Sequence, residues 1–225
     1  MYRGEYVPKV TDEVVDEGAS QAFIPYPDLG ANLANVPIYI RPDAFYYAAR
    51  MGFFPNCNKL YLHVPWIAEH LWNLNQSIMR DERNNLDEHF KYRLAMVVSR
   101  TNECPYCTAH HAGTLKRRWE YDDTELTELL QLDHPQDERE AVAFEYALQA
   151  SLDPAGVTAE LRARLADLFT PQEVMEIVIH VGFWTMYNAM HLAMALPIED
   201  PVLHLDRWLQ VKPGSGAPTP APSSR

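Results

Sequence analysis

The sequence predicts an all-α fold, and three observations carry that expectation. Apolar residues recur at three- and four-residue spacing through most segments between positions 42 and 196. Capping residues and first-turn prolines stand at the heads of those segments. No stretch alternates apolar and polar residues as a half-buried strand does, and no tandem repeat is present.

Residues 1–41 combine Pro8, Pro25, Pro27 and Pro37 with glycines and acids and lack a helical period, so an extended arm wrapping the core or a neighbouring subunit is expected. From Pro42 and Asp43, the residues Ala44, Phe45, Tyr47, Ala48 and Met51 predict a first helix that Gly52 and Pro55 stop. Pro65 suits a first helical position, and Ile67, Leu71, Leu74 and Ile78 form an apolar stripe ending near Arg80. Leu86, Phe90, Leu94, Val97 and Val98 line one side of a segment running from 86 to 101, which leads into a further helix capped by Asn102.

Downstream, Asp122 or Asp123 is expected to cap a short helix through Leu132, and Asp133 with Pro135 to start another bearing Ala141, Phe144, Ala147 and Leu148 on its inner face. Thr158 heads a short helix with Leu161, Leu165 and Phe169. Thr170-Pro171-Gln172-Glu173 reads as a capping box with proline at the first helical position, opening a long apolar helix to about Leu196. Residues 42–210 thus form one helical domain, and 211–225, rich in Pro, Gly and Ser, form a tail expected to be disordered.

The chemistry concentrates in Asn102-Glu103-Cys104-Pro105-Tyr106-Cys107-Thr108-Ala109-His110-His111. Pro105 fits a first turn, which sets Cys104 and Cys107 at a helix start, where free N–H groups and the helix dipole favour a thiolate. His111 stands four residues after Cys107 and on the same helical face, positioned to exchange its proton, which marks Cys107 as nucleophile and Cys104 as the resolving thiol. The thioredoxin-type argument favours the more N-terminal Cys104 instead; the histidine spacing decides for Cys107. His110 points about 100° away from His111 and is expected to cap or bridge at a subunit surface. On the last helix, His180, Trp184, Tyr187 and His191 fall on one polar-aromatic stripe that would suit a pocket wall. Glu69 and His70 read as a solvated edge, and Cys57 as a lone structural or surface thiol.

Composition narrows the classes. Nineteen basic against 31 acidic residues give a formal charge of −12, which repels phosphate backbones and anionic membranes, so neither nucleic acid nor membrane is an expected partner. Three cysteines do not make a disulfide framework, no window approaches 18 uninterrupted apolar residues, and the N-terminal stretch lacks a signal-peptide pattern. A reducing, cytoplasmic setting is expected. Zinc is disfavoured because a second CxxC or HxxxH pair is absent.

The segment from Tyr92 to His111, with Asn-x-Cys-x-Tyr-Cys followed by x3-His, resembles the alkylhydroperoxidase AhpD-like branch of the carboxymuconolactone decarboxylase family. A looser likeness spans residues 42–197, ending at Phe183-Trp184-Thr185-Met186-Tyr187-Asn188. The resemblance implies an AhpD-like helical bundle with the CxxC at a helix N-terminus, assembled as a dimer, trimer or hexamer. It further implies a peroxidase needing no cofactor or metal, in which Cys107 attacks a small hydroperoxide, Cys104 resolves it, and His111 belongs to a proton relay. A dithiol, thioredoxin-like or lipoylated protein would then be the reductant. The family's relay glutamate, twelve residues before the first cysteine, is replaced by Tyr92, so Tyr92, Glu88 and Glu103 are candidate substitutes. Two further readings are a decarboxylase-like lyase or isomerase using pocket histidines, and a non-enzymatic redox-sensing oligomer.

Overall fold

The computed structural model describes residues 23–51, 53–131, 135–199 and 202. The start of the N-terminal arm, the tail from 211 onward, and Asp133 lie outside the described residues. Among the described residues the chain is all-helical: α1 (Arg41–Met51), α2 (Asn56–Tyr61), α3 (Pro65–Arg80), α4 (Glu88–Thr101), α5 (Pro105–Trp119), α6 (Asp123–Gln131), α7 (Glu138–Leu152), α8 (Ala159–Leu168) and α9 (Pro171–Ala193). Short 3-10 turns at Ala31–Leu33 and Pro154–Gly156 complete the described elements.

Helix heads follow local chemistry. Asp87, Thr158 and Thr170 accept from the backbone N–H groups of Phe90, Leu161 and Glu173, satisfying donors that have no helical partner. The Thr170 capping box is complete, with the Glu173 side chain returning to the Thr170 N–H at 2.8 Å. α7 starts at Glu138, beyond the predicted Pro135, because Asp137 accepts from the Glu140 N–H and caps the helix there. α2 is a helix that the sequence reading missed: five of its six residues are buried, which erases the polar face that marks a helix in sequence. α9 ends at Ala193, short of Leu196, because Ala195 takes φ 47°. The N–H groups of Ala195 and Leu196 then return to Leu192 O and His191 O, a Schellman turn that stops the helix.

α4 is the axis of the molecule. It packs against α3, α5, α6, α7 and α9, most extensively against α5. The sequence pattern predicts one apolar side, yet every residue from Lys91 to Thr101 is buried. Its charged side chains therefore find partners on surrounding elements. Arg93 forms a bidentate pair with Glu140 of α7, with Nη2 to Oε2 at 2.6 Å, and also donates to the Tyr121 hydroxyl. Lys91 Nζ lies 3.7 Å from Glu176 of α9. Ser99 Oγ donates to Asn188 Oδ1 of α9 at 3.1 Å. The described part of the N-terminal arm lies on this core, with Val36 and Ile40 buried and His63 Nε2 2.8 Å from Pro25 O.

Removing one partner of a buried ion pair leaves the other charge uncompensated. Glu140→Ala is expected to lower unfolding free energy by about 3–5 kcal/mol, read as a drop in the denaturant midpoint; an unchanged midpoint would show that Arg93 is satisfied without it.

Candidate active site

The CxxC enters through the end of α4. Asn102 is the C-cap of α4, not the N-cap of α5 as expected, and Glu103 follows at φ 55°. The Glu103 and Cys104 N–H groups donate back to Arg100 O (3.1 Å) and Ser99 O (2.9 Å), a Schellman turn whose left-handed position is filled by a glutamate. Left-handed backbone costs a non-glycine residue about 1–2 kcal/mol, held here by the packing on either side. Cys104 is the N-cap of α5, its sulfur accepting from the Cys107 N–H at 3.3 Å, and Pro105 occupies the first turn.

Cys104 Sγ and Cys107 Sγ are 2.7 Å apart. Cys107 Sγ is also 3.0 Å from Nδ1 of His191, which α9 brings in from 84 residues away. His191 Nε2 lies 2.6 Å from the Tyr61 hydroxyl of α2. A chain of four groups results, running Cys104, Cys107, His191, Tyr61, all buried.

Burial decides the electrostatics. The dipole argument made from sequence expects a lowered Cys107 pKa, but Cys107 is only 2% exposed, and burial pushes its thiol well above the ordinary range, with the Cys104 sulfur adding to the shift. Desolvation of the charged form outweighs the partial charge of a helix end. Burial likewise lowers His191 to about 3, the nearby His110 acting in the same direction against Glu199, so its imidazole is neutral and one ring nitrogen is a lone-pair acceptor. In the tautomer that carries its proton on Nε2, Nε2–H donates to the Tyr61 oxygen and Nδ1 accepts from the Cys107 thiol.

A cavity of about 100 Å³, partly open to solvent, meets these groups. Aromatic side chains from Tyr47, Trp72, Tyr92, Trp184 and Tyr187 dominate its wall, joined by Cys107, His111, His191, Arg80 and His110. Of the predicted stripe on α9, Trp184, Tyr187 and His191 reach the cavity. His180 does not: it is buried between Trp184 and α4, with its pKa lowered to about 3 by burial and by the Lys91 charge.

The expected pairing of His111 with Cys107 does not form. His111 Nε2 has no hydrogen-bond partner, and its ring stands edge-on to Trp184 with centroids 4.3 Å apart. One helical turn aligns two positions on a face but does not bring the side chains together, and α9 meets each with a different side chain, His191 at Cys107 and Trp184 at His111. Tyr92 lines the cavity and accepts from Arg80 Nη2 at 2.7 Å. Glu88 lies behind it in ion pairs with Arg80 and Arg118, and Glu103 sits at the α4–α5 turn, so neither carboxylate reaches His111 by a hydrogen bond. His110, expected at a subunit surface, bonds through Nε2 to Glu199 Oε2 at 2.8 Å. Cys57 is buried beside the cavity, its thiol pushed up to about 12 by burial, while His70 is exposed.

Tyr61 and Glu199 escaped the sequence reading altogether. Tyr61 lies on the unpredicted α2, and Glu199 lies beyond the last helix in a stretch without local pattern. For metal, the donors that cluster among the described residues are Cys104, Cys107 and His191, within 4.8 Å of one another. Two thiolates on one zinc stand about 3.8 Å apart at ordinary Zn–S lengths, so the sulfurs would have to separate by about 1 Å to share an ion.

No protein-family model matches the chain. The uncharacterized protein YnjA of Escherichia coli (strain K12) is 23% identical over 174 residues, covering 74% of this chain and 92% of YnjA. Among solved structures, a peroxidase-related protein from Silicibacter sp. TM1040 superposes with a TM-score of 0.71 at 20% identity, covering 88% of this chain and 97% of its own. A peroxidase-related protein with an alkylhydroperoxidase AhpD core from Ralstonia eutropha JMP134 gives 0.70 at 20% identity, covering 80% and 93%. The debrominase Bmp8 gives 0.67 at 21% identity, covering 76% and 92%. The chain therefore has the AhpD-like helical fold.

His111, His180 and His191 all have lowered pKa values, each chiefly through burial. Below the unfolded value near 6.5 the unfolded chain takes up protons that the folded chain refuses, so stability is complete above pH 6.5 and is lost as pH falls toward 3. The expected slope is up to about 1.4 kcal/mol per pH unit for each histidine. Urea midpoints should fall between pH 7.5 and 5.5, and less steeply in His180→Gln; a midpoint rising with acidity would contradict the burial argument.

Proposed function

We propose that the protein is a thiol-dependent oxidoreductase that reduces hydroperoxides through Cys107 and Cys104. The observation that carries this reading is the buried chain of Cys104, Cys107, His191 and Tyr61 opening on a cavity. A raised thiol pKa makes a resting thiolate costly, so the nucleophile needs a base at the moment of attack, and His191 Nδ1 is in contact to serve. Tyr61 fixes the imidazole orientation.

In the cycle, Cys107 gives its proton to His191 and its sulfur attacks the terminal peroxide oxygen, breaking the O–O bond. Cys107 becomes a sulfenic acid and the leaving alkoxide takes a proton to become the alcohol. The Cys104 thiol then displaces water, forming the disulfide, and an external dithiol, either thioredoxin-like or lipoyl-bearing, returns both thiols. His191 takes the base role that spacing alone assigns to His111. The cavity's aromatic wall suits an organic hydroperoxide better than hydrogen peroxide.

The same wall supports a second reading. Bmp8 is a debrominase also solved with 2,3,4-tribromopyrrole, and a thiol pair that is oxidised to a disulfide while a ring halogen is replaced by hydrogen would use the same two sulfurs. A decarboxylase-like lyase would instead work without them. Exposed Met175, Val178, Ile179, Met186 and Leu192 on the outer face of α9 support assembly into a homo-oligomer. The acidic charge argues against nucleic-acid and membrane partners, and no helix among the described residues is long and apolar enough to cross a membrane. The three free thiols favour a reducing, cytoplasmic setting.

One equivalent of cumene hydroperoxide should remove two thiols and about two mass units from the reduced protein. Cys107→Ser should abolish the reaction, Cys104→Ser should stop it at a sulfenic acid trappable by dimedone, and His191→Gln should slow it by about 10²-fold or more. Folded protein whose thiols stay reduced would sink the peroxidase reading.

A further inference from the structure

Glu199 is a buried carboxylate placed at the mouth of the CxxC helix, and the thiol chain described above makes no use of it. The Schellman turn at Ala195 reverses the chain after α9, and Pro197–Glu199 runs back over the starts of α2 and α5. Asn56 holds this return by donating from Nδ2 to Pro197 O at 3.1 Å. Glu199 is 8% exposed and accepts at Oε1 from the Asn56 N–H and from the Tyr106 hydroxyl (2.8 Å), and at Oε2 from His110 Nε2 (2.8 Å). The Tyr106 oxygen in turn accepts from the Cys57 N–H at 3.2 Å.

The two side chains that Glu199 grips flank the nucleophile. Tyr106 immediately precedes Cys107, and His110 follows it by three residues, on the wall of the same cavity. Because Nε2 is committed to the carboxylate, Nδ1 is the nitrogen of His110 left for a bound molecule. When His110 holds a second proton, the pair is an ion pair, and the charge is met inside the protein by a carboxylate already fixed by two other donors.

The cycle proposed above leaves one step without a donor. Attack on a hydroperoxide expels a strongly basic alkoxide, and a general acid must protonate it as the O–O bond breaks. His191 is engaged at both ring nitrogens, by the Cys107 sulfur and the Tyr61 hydroxyl, and His111 Nε2 has no hydrogen-bond partner to hold a second proton in place. We infer that His110, positioned by Glu199, is the general acid that protonates the leaving oxygen, while His191 is the base that takes the thiol proton. His110 is then the catalytic residue and Glu199 its positioning residue, and the inference rests on the peroxidase reading. In this step Cys107 loses two electrons and gains the terminal oxygen, the O–O bond breaks, and the proton on His110 Nδ1 passes to the alkoxide. The proton taken up by His191 returns to His110 through solvent in the cavity once the alcohol has left.

A leaving-group comparison tests this. Cumene hydroperoxide releases an alkoxide that needs a proton, whereas perbenzoic acid undergoes the same attack on oxygen but releases a weakly basic carboxylate that does not. Single-turnover disulfide formation would be followed by stopped flow and intact mass in wild type, Glu199→Gln, His110→Asn and His111→Asn. His110→Asn and Glu199→Gln are expected to slow the cumene hydroperoxide reaction by about 10²-fold or more relative to the perbenzoic acid reaction, while His111→Asn leaves that ratio at its wild-type value. Equal slowing with both oxidants would reduce Glu199 to a structural clamp and overturn the inference, as would no slowing. Selective slowing in His111→Asn alone would move the acid role there. A wild-type protein inert to both oxidants would overturn the peroxidase reading itself, an outcome distinct from loss of selectivity.

Discussion

Burial of α4 on every side is the constraint on which the rest of the structure depends. A helix in the middle of a bundle can carry charge only if neighbours answer it, and Lys91 and Arg93 are answered by Glu176 of α9 and Glu140 of α7. These pairs, with Ser99 on Asn188, set the register of α7 and α9 against the axis. Buried pairs of this kind add little net stability over an apolar core, but they penalise every arrangement in which a charge loses its partner. The bundle therefore has little freedom to slide. Its fixed end is where the CxxC begins, since the last carbonyls of α4 hold the turn that launches α5.

From that turn outward, the site is governed by competition between desolvation and polar contact. A helix N-terminus favours a thiolate, but the effect falls off within a turn and is worth about 1 kcal/mol at exposed ends, while complete burial shifts a titrating group by several pKa units. Burial wins at Cys107, and the thiol becomes dependent on the imidazole that α9 presses against it. The same burial keeps His191 neutral and able to accept.

His191 and His110 show how one cavity holds two imidazoles in different surroundings. The far nitrogen of His191 meets a phenol, a neutral group, and that of His110 meets a carboxylate. Pairs of titratable groups set apart by their environments are how acid and base roles are divided in one site. Here the two surroundings are supplied by two short pieces of chain, α2 and the return after α9, rather than by the helices that form the bulk of the bundle.

Much of the fold was legible in the sequence. The 3.6-residue period placed α3, α4, α8 and α9, the capping box at Thr170 marked the start of α9 to the residue, and Pro105 put the two cysteines at the head of α5. These features are local: each depends on residues within about one turn, so the order of amino acids carries them. α2 and the all-round burial of α4 were not legible, because a segment enclosed by its neighbours has no polar face to betray its period. The partners of the site were illegible for a related reason. Spacing nominated His111 for Cys107, but spacing reports only that two residues share a helical face. Which imidazole touches the sulfur is set by how α9 crosses α5, and which carboxylate stands beside the site is set by the turn at Ala195 that carries Glu199 back. The sequence by itself determined most of the helices and the thiol pair; the tertiary structure alone decided which side chains surround them, because those contacts join residues 84 to 130 positions apart and rest on packing rather than periodicity.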